Sequence, residues 1–204
     1  IMPRDLHDAI LNNVRDLVTE QARVFAEEVR PELAAHGIRI LTWEDLTASE
    51  RERMATLFDE RILPILTPLA VDPSHPFPYI SGLSVNLAVL LRNPTTGVRQ
   101  FARVKLPMNL ARFIDLGGSR FVPLEDVIGC HLDRLFTGMD IVQWTTFRVT
   151  RNEDLEVEED DAENLLHALE KELLRRKVGR PPVRLEVAAG IDEQMLDLIV
   201  AELD

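Results

Sequence analysis

Between Arg61 and Pro78 the chain reads RILPILTPLAVDPSHPFP and holds five of its twelve prolines. Each proline fixes φ near −65° and removes a backbone donor, so Pro68 to Pro78 cannot be helix and is poorly suited to a central strand. Leu69, Val71, Phe77, Tyr79 and Ile80 lie among those prolines. A flexible linker is richer in glycine and serine, so the stretch is expected to be an ordered, proline-stiffened crossing loop. The apolar run Arg61 to Thr67 just before it reads as a buried strand, with Pro64 asking for an edge position or a bulge. Just after it comes the clearest strand pair in the chain. Val85, Leu87, Val89 and Leu91 alternate onto one face, as do Ala102, Val104 and Leu106, with Arg103 and Lys105 opposite. Asn93-Pro94-Thr95-Thr96-Gly97 supplies the turn chemistry of a hairpin.

The rest of the chain supplies helices and further strands. Residues 3–35 carry Leu6, Ile10, Leu17, Val24, Phe25, Val29 and Leu33 at roughly helical intervals, with Pro31 predicting a kink or two helices and Gly37 a stop. Ile38 to Leu41 reads as a short strand, and Thr47-Ala48-Ser49-Glu50 is a capping box opening a helix that ends near Glu60. Residues 109–120 read as irregular. Pro123 opens a helix with Val127, Ile128, Leu132 and Leu135 on its stripe, closed by Gly138. Ile141 to Thr150 is strand-like but its alternation slips between Trp144 and Phe147, which predicts a bulge. Eight carboxylates between Glu153 and Glu163 precede a helix bearing Leu165, Leu166, Leu169 and Leu173, and the charge order suits the helix dipole. Val183, Leu185 and Val187 form a last strand, and Asp192 caps a last helix with Met195, Leu196, Ile199 and Leu203. The expected class is α+β: a mixed, largely antiparallel sheet with a prominent β-hairpin packed by helices, preceded by a helical N-terminal segment.

Composition restricts the function classes. The formal net charge of −12 opposes long-range attraction of nucleic acid. No apolar run approaches the roughly 18 residues of a membrane span. A single cysteine, Cys130, excludes an internal disulfide and fits a reducing cytoplasm. A start at Ile1 and a last helix running to the C-terminus read as a segment cut from a longer polypeptide.

No self-contained catalytic constellation emerges. His7, His36, His75, His131 and His167 are scattered and lack metal-ligand spacing, and Cys130 and His131, being adjacent on a helix, point about 100° apart. The acidic run lacks the glycine of a calcium loop. Neither common phosphate-cradling glycine loop nor a nucleophile elbow occurs. One basic set is worth following: Arg99, Arg103 and Lys105 share the outer face of the hairpin with Phe101, and Arg148 and Arg151 flank the next strand. Guanidinium groups bind phosphate oxygens bidentately, so these residues, Arg148 and Arg151 first, are candidate polyanion contacts. Solvated strand faces beside acidic neighbours are the plainer reading of the same residues.

Several long segments, in order, resemble the N-terminal half of bacterial polyphosphate kinases: ILPILTPLAVDPSHPFPYISGLSVNLAVLLR, FARVKLP, RFVPLEDVIGCHLDRLFTGMDIVQWTTFRVTRNEDLEVEEDDAENLLHALEKELLRRK and VRLEV. The resemblance runs from about Glu20 to Leu203. It implies that residues 1–36 are the last helices of a helical N-terminal domain and 37–204 a head domain, a domain associated in that family with dimer formation. It implies an enzyme that reversibly transfers the terminal phosphate of ATP to polyphosphate through a phosphohistidine, with magnesium. The family's phosphorylated histidine and ATP ligands lie in C-terminal domains beyond this chain, and none of the five histidines matches them. No catalytic, cofactor-binding or metal-binding residue is therefore assigned. The segment is expected to be inactive alone and to serve dimerisation and architecture, with a self-standing polyanion-binding or scaffold module as the alternative.

Overall fold

The computed structural model describes residues 3–70, 79–152, 182–201 and 203. The later prolines of the crossing loop, His75, the acidic run, its helix and His167 lie outside the described residues. The chain divides into two compact units, Ile1–Glu52 with Arg112–Asp126, and Arg53–Ala111 with Val127–Asp204.

The first unit opens with α1 (Pro3–Val24), continues through a π-helical turn (Phe25–Val29) and ends in α2 (Arg30–Ala35). The break expected at Pro31 takes the form of that wide turn. Val24, Val29 and Arg30 all keep right-handed helical angles, and Arg30 donates to the Phe25 carbonyl five residues back. The proline ring would crowd the carbonyl of residue 27 in a regular helix, and a π turn opens the spacing. Gly37 (φ +81°) stops the helix, with Gly37 N–H on the Ala34 carbonyl and Ile38 N–H on that of Leu33. This double closure needs a left-handed residue at Gly37. Strand β1 (Arg39–Ile40) then pairs parallel with a strand from the unit's other segment.

The capping box forms as expected at the start of α3 (Ala48–Leu57). Glu50 N–H donates to Thr47 Oγ1 at 3.3 Å and Thr47 N–H to Glu50 Oε2 at 2.9 Å. Residues 109–120 are not irregular throughout. Phe113–Gly117 and Arg120–Pro123 form a hairpin, β5 and β6, across a two-residue loop in which Gly118 (φ +62°) and Ser119 (φ +58°) are both left-handed. Such turns match the right-handed twist of paired strands. The sheet order in this unit is β1–β6–β5. Arg120 reaches Glu50 at 2.7 Å and Arg112 reaches Glu125.

The second unit is built on a five-stranded antiparallel sheet among the described residues: β2 (Pro68–Ala70), β4 (Arg99–Lys105), β3 (Val85–Arg92), β7 (Asp140–Arg151) and β8 (Pro182–Val187), in that spatial order. The expected strand over Arg61–Thr67 is instead a π-helical turn (Phe58–Ile62) and a 3₁₀ turn (Leu63–Ile65). Phe58 and Ile62, four apart, are both buried. A short apolar run does not by itself distinguish a strand from a buried helical turn, and here the i,i+4 pair decides. The proline crossing begins with Pro68 as first residue of the edge strand β2, where its missing donor costs no ladder bond.

The β3–β4 hairpin forms in the expected register, from Arg92↔Arg99 to Asn86↔Lys105. Asn93 Oδ1 accepts from Thr95 and Thr96 N–H, and Gly97 takes φ +72°. Strand β7 does carry a bulge, but at Val142, where Leu90 faces Gln143 while Leu91 faces Ile141; between Trp144 and Phe147, where the alternation slips, the register runs on unbroken. Helix α6 (Glu193–Ala201), capped by Asp192 Oδ1 on Met195 N–H, lays Met195 and Ile199 on Ala88, Leu90, Phe101, Phe147 and Val149. The opposite face, with Leu87, Val89, Leu91, Ala102 and Val104, is buried as well. The helix expected from Pro123 to Gly138 is interrupted: α4 (Leu124–Gly129) and α5 (Leu132–Leu135) flank a non-helical His131. Gly129 lies so close to Trp144 of β7 that a Cβ would run into the indole ring.

Candidate functional site

Asn86 interrupts the apolar strand VNLAVLL, yet it is fully buried. A buried amide must find partners, and Asn86 does so on both sides. Its Nδ2 donates to the Ser84 carbonyl at 2.8 Å, and its Oδ1 accepts from Arg103 Nε at 2.8 Å. Ser84 Oγ in turn donates to the Ser81 carbonyl at 2.8 Å. A polar chain thus runs from the sheet into the segment Tyr79–Ser84, which carries the proline crossing into β3.

Three cationic side chains converge on that segment. Arg103 Nη1 donates to the Tyr79 carbonyl at 3.2 Å, Arg151 Nε to the Ile80 carbonyl at 2.6 Å, and Lys105 Nζ to Ser81 Oγ at 2.8 Å. The Arg151 guanidinium also lies 4.6 Å from the centre of the Tyr79 ring, within cation–π range. Arg103 and Lys105 are two apart on β4 and so share a face. The alternation of the hairpin places Arg103 and Phe101 on a solvated outer face; the structure corrects this, with 5% and 6% of their surface exposed. Helix α6 covers Phe101 on that face. Desolvation holds the Arg103 pKa below its ordinary value. Arg99, at the other end of β4, donates to Gln194 Oε1 at 3.0 Å.

Arg148 and Arg151 are not brought together by shared partners. Arg148 forks onto Glu186 with Nε–Oε2 at 2.7 Å and Nη2–Oε1 at 2.9 Å, and Arg184 meets the same carboxylate at 3.0 Å. The pair lifts the Arg148 pKa and lowers that of Glu186, in each case chiefly through their mutual hydrogen bonds. Asn86 and the Tyr79–Ser81 contacts are what sequence reading passed over. The legible signal was an amide inside an otherwise apolar strand.

Among the described residues, the remaining titratable groups build no second constellation. His131 is buried, stacked on Phe58 with ring centres 4.7 Å apart, with Nδ1 2.7 Å from the Val127 carbonyl. His36 is exposed on the end of α2. Cys130 is exposed. In the first unit, burial first, then Glu125 and Glu44, push the Asp126 carboxyl up to about 6. Among the described residues no group of three or more His, Cys, Asp or Glu side chains is arranged to hold a metal ion. Among them, too, no helix is long and apolar enough to cross a membrane.

Residues 49–204 match the family model described as the polyphosphate kinase middle domain. The whole chain aligns with a polyphosphate kinase of Streptomyces coelicolor at 58% identity, covering 27% of that protein, and with one of Mycobacterium avium at 50%, covering 30%. A polyphosphate kinase of Mycobacterium tuberculosis is 48% identical over the full chain and 29% of its own length. The crystal structure of polyphosphate kinase from Porphyromonas gingivalis superposes with a TM-score of 0.73 at 25% identity, over 98% of this chain and 29% of that one. The chain thus spans under a third of the length of these relatives. With a profile match over three quarters of its length, this chain belongs to the polyphosphate kinase family and carries that family's middle domain.

Proposed function

We propose that the protein to which this chain belongs transfers the terminal phosphate of ATP reversibly to polyphosphate through a phosphohistidine, and that this chain is its non-catalytic architectural part. Residues 1–36 are assigned to the end of a helical N-terminal domain and 37–204 to the head domain. ATP and magnesium would be held by the remainder of the polypeptide, in the cytoplasm. The observation that carries the reading is the placement of the described histidines. His131 is stacked in the core, and His7 and His36 lie exposed on α1 and at the end of α2. A histidine that accepts a phosphoryl group needs cationic groups around the transferred oxygens, and among the described residues the nearest ion-pair partners of His7 and His36 are the carboxylates of Asp8 and Glu32. Incubation of the chain with ATP labelled on its terminal phosphate tests this. No acid-labile label is expected on the protein, and its appearance would overturn the assignment.

Dimerisation is the contribution proposed for the chain itself. Supporting it, α1 leaves Leu6, Ile10 and Leu17 between 52% and 70% exposed, an apolar stripe that asks for cover. A second reading has the chain itself hold a polyanion such as polyphosphate, through Arg148 and Arg151. Arg148 is matched by Glu186, and Arg151 lies against the Tyr79 ring and donates to the Ile80 carbonyl.

A further inference from the structure

We propose that Leu83, with Tyr79, Met108 and Lys105, docks a segment of the remaining polypeptide that brings an apolar side chain and a carboxylate. The proposed surface rests on the reading above, in which this chain is one part of a longer enzyme. Leu83 takes φ +61° and leaves 67% of its surface exposed. In the left-handed region a Cβ crowds the backbone, so turns ordinarily place glycine or asparagine there. An exposed leucine gains nothing from burial to offset that strain. Strain of this kind persists only where the surroundings over-determine it, as they do here. Leu83 N–H donates to the Val149 carbonyl at 2.8 Å, Ser84 Oγ to the Ser81 carbonyl at 2.8 Å, and Lys105 Nζ to Ser81 Oγ at 2.8 Å. The turn is thus anchored on both sides, and the anchoring holds an apolar side chain out in solvent.

Two more large apolar side chains lie at this end of the hairpin. Tyr79, four residues before Leu83, is 53% exposed. Met108 is 84% exposed and lies two residues past Leu106, whose N–H bonds the carbonyl of Val85, two residues past Leu83. A thioether there adapts to the shape of what meets it. Lys105 adds a charge. Its Nζ meets the Ser81 hydroxyl, and among the described residues no carboxylate pairs with it, although acidic residues outnumber basic ones by 35 to 23 in the chain. An ammonium so placed is complementary to a carboxylate on the incoming segment. Size decides the occupant. Three apolar side chains and one cation fall well short of the roughly 20–30 residues a side that hold two separate proteins together. A contact this small suits a segment of the same polypeptide, whose tether supplies a high effective concentration. The chain spans under a third of its relatives' length, so a polypeptide of their size has more than two thirds of its residues outside it.

Hydroxyl-radical footprinting read by mass spectrometry, on this chain and on the full-length protein, tests the surface. Leu83, Tyr79 and Met108 are expected to oxidise at least about fivefold more slowly in the full-length protein, at every concentration. Val98, 62% exposed at the other end of the hairpin, is expected to change less than about twofold. Leu83→Gly removes the apolar side chain and the left-handed strain together. This chain should then melt at a higher temperature, while Tyr79 and Met108 in the full-length protein lose most of their protection. Lys105→Gln keeps a donor near Ser81 and should weaken that protection at least about twofold. Equal oxidation in the two proteins would overturn the proposal, as would protection that either variant leaves intact. Protection that fades on dilution would assign the surface to a second copy and overturn it too. Failure here leaves the catalytic assignment standing, since ATP labelling of the chain tests that independently.

Discussion

Asp126 shows how a single side chain records its surroundings. Burial, and then the charges of Glu125 and Glu44, raise its carboxyl from an ordinary value of 3.8 to about 6. The folded state therefore holds the proton more tightly than the unfolded one. The associated stability is fully present below the ordinary value and is lost as pH rises through about 6. An asparagine cannot ionise, so Asp126→Asn should be the more stable protein above about pH 6.5, with the difference closing towards about pH 4. Urea denaturation at several pH values checks this, and a difference that does not vary with pH would refute it. Residue-level reading of the sequence had no access to this shift. Glu125 is a chain neighbour, but Glu44 arrives only through folding.

At the scale of elements, the close approach of the end of α4 to β7 makes the sharpest prediction. Gly129 is not in a left-handed conformation; what requires glycine there is the indole of Trp144. Gly129→Ala should destabilise the fold by about 1–3 kcal/mol, the usual cost of overfilling a packed contact, and Gly129→Ala with Trp144→Leu should recover part of it. Chemical denaturation of the four proteins in that cycle measures both. Elements with strong local signals were legible in the sequence: the Asn93–Gly97 turn, the Thr47–Glu50 capping box, the Gly37 stop and the Asp192 cap. Arg61–Thr67 was misread because its apolar run carries no period, and the β5–β6 hairpin was missed because its strands are short, five and four residues. One of its partners, β1, is some eighty residues away in sequence.

For the molecule as a whole, the proposed role is self-association. Light scattering across a concentration series should give a mass of about 46 kDa, twice that of one chain, falling towards 23.2 kDa on dilution. A mass of 23.2 kDa at every concentration would overturn dimerisation by the chain alone. Substituting Leu17→Glu, 70% exposed on α1, should lower the dimer fraction if that stripe lies in the contact.

The β3–β4 hairpin is the part of this protein that sequence determined by itself. Strand alternation sets which residues share a face, and Asn93 to Gly97 sets the register. The family was legible for the same reason, since long ordered segments identify it without coordinates. What only the tertiary structure decided is which faces are covered. Alternation puts Arg103 opposite Leu87 and Val89, but period two cannot say whether a face meets water or a helix. Folding decides it: α6, about ninety residues further along, covers Phe101, and Arg103 becomes a buried cation beside Asn86 and Tyr79.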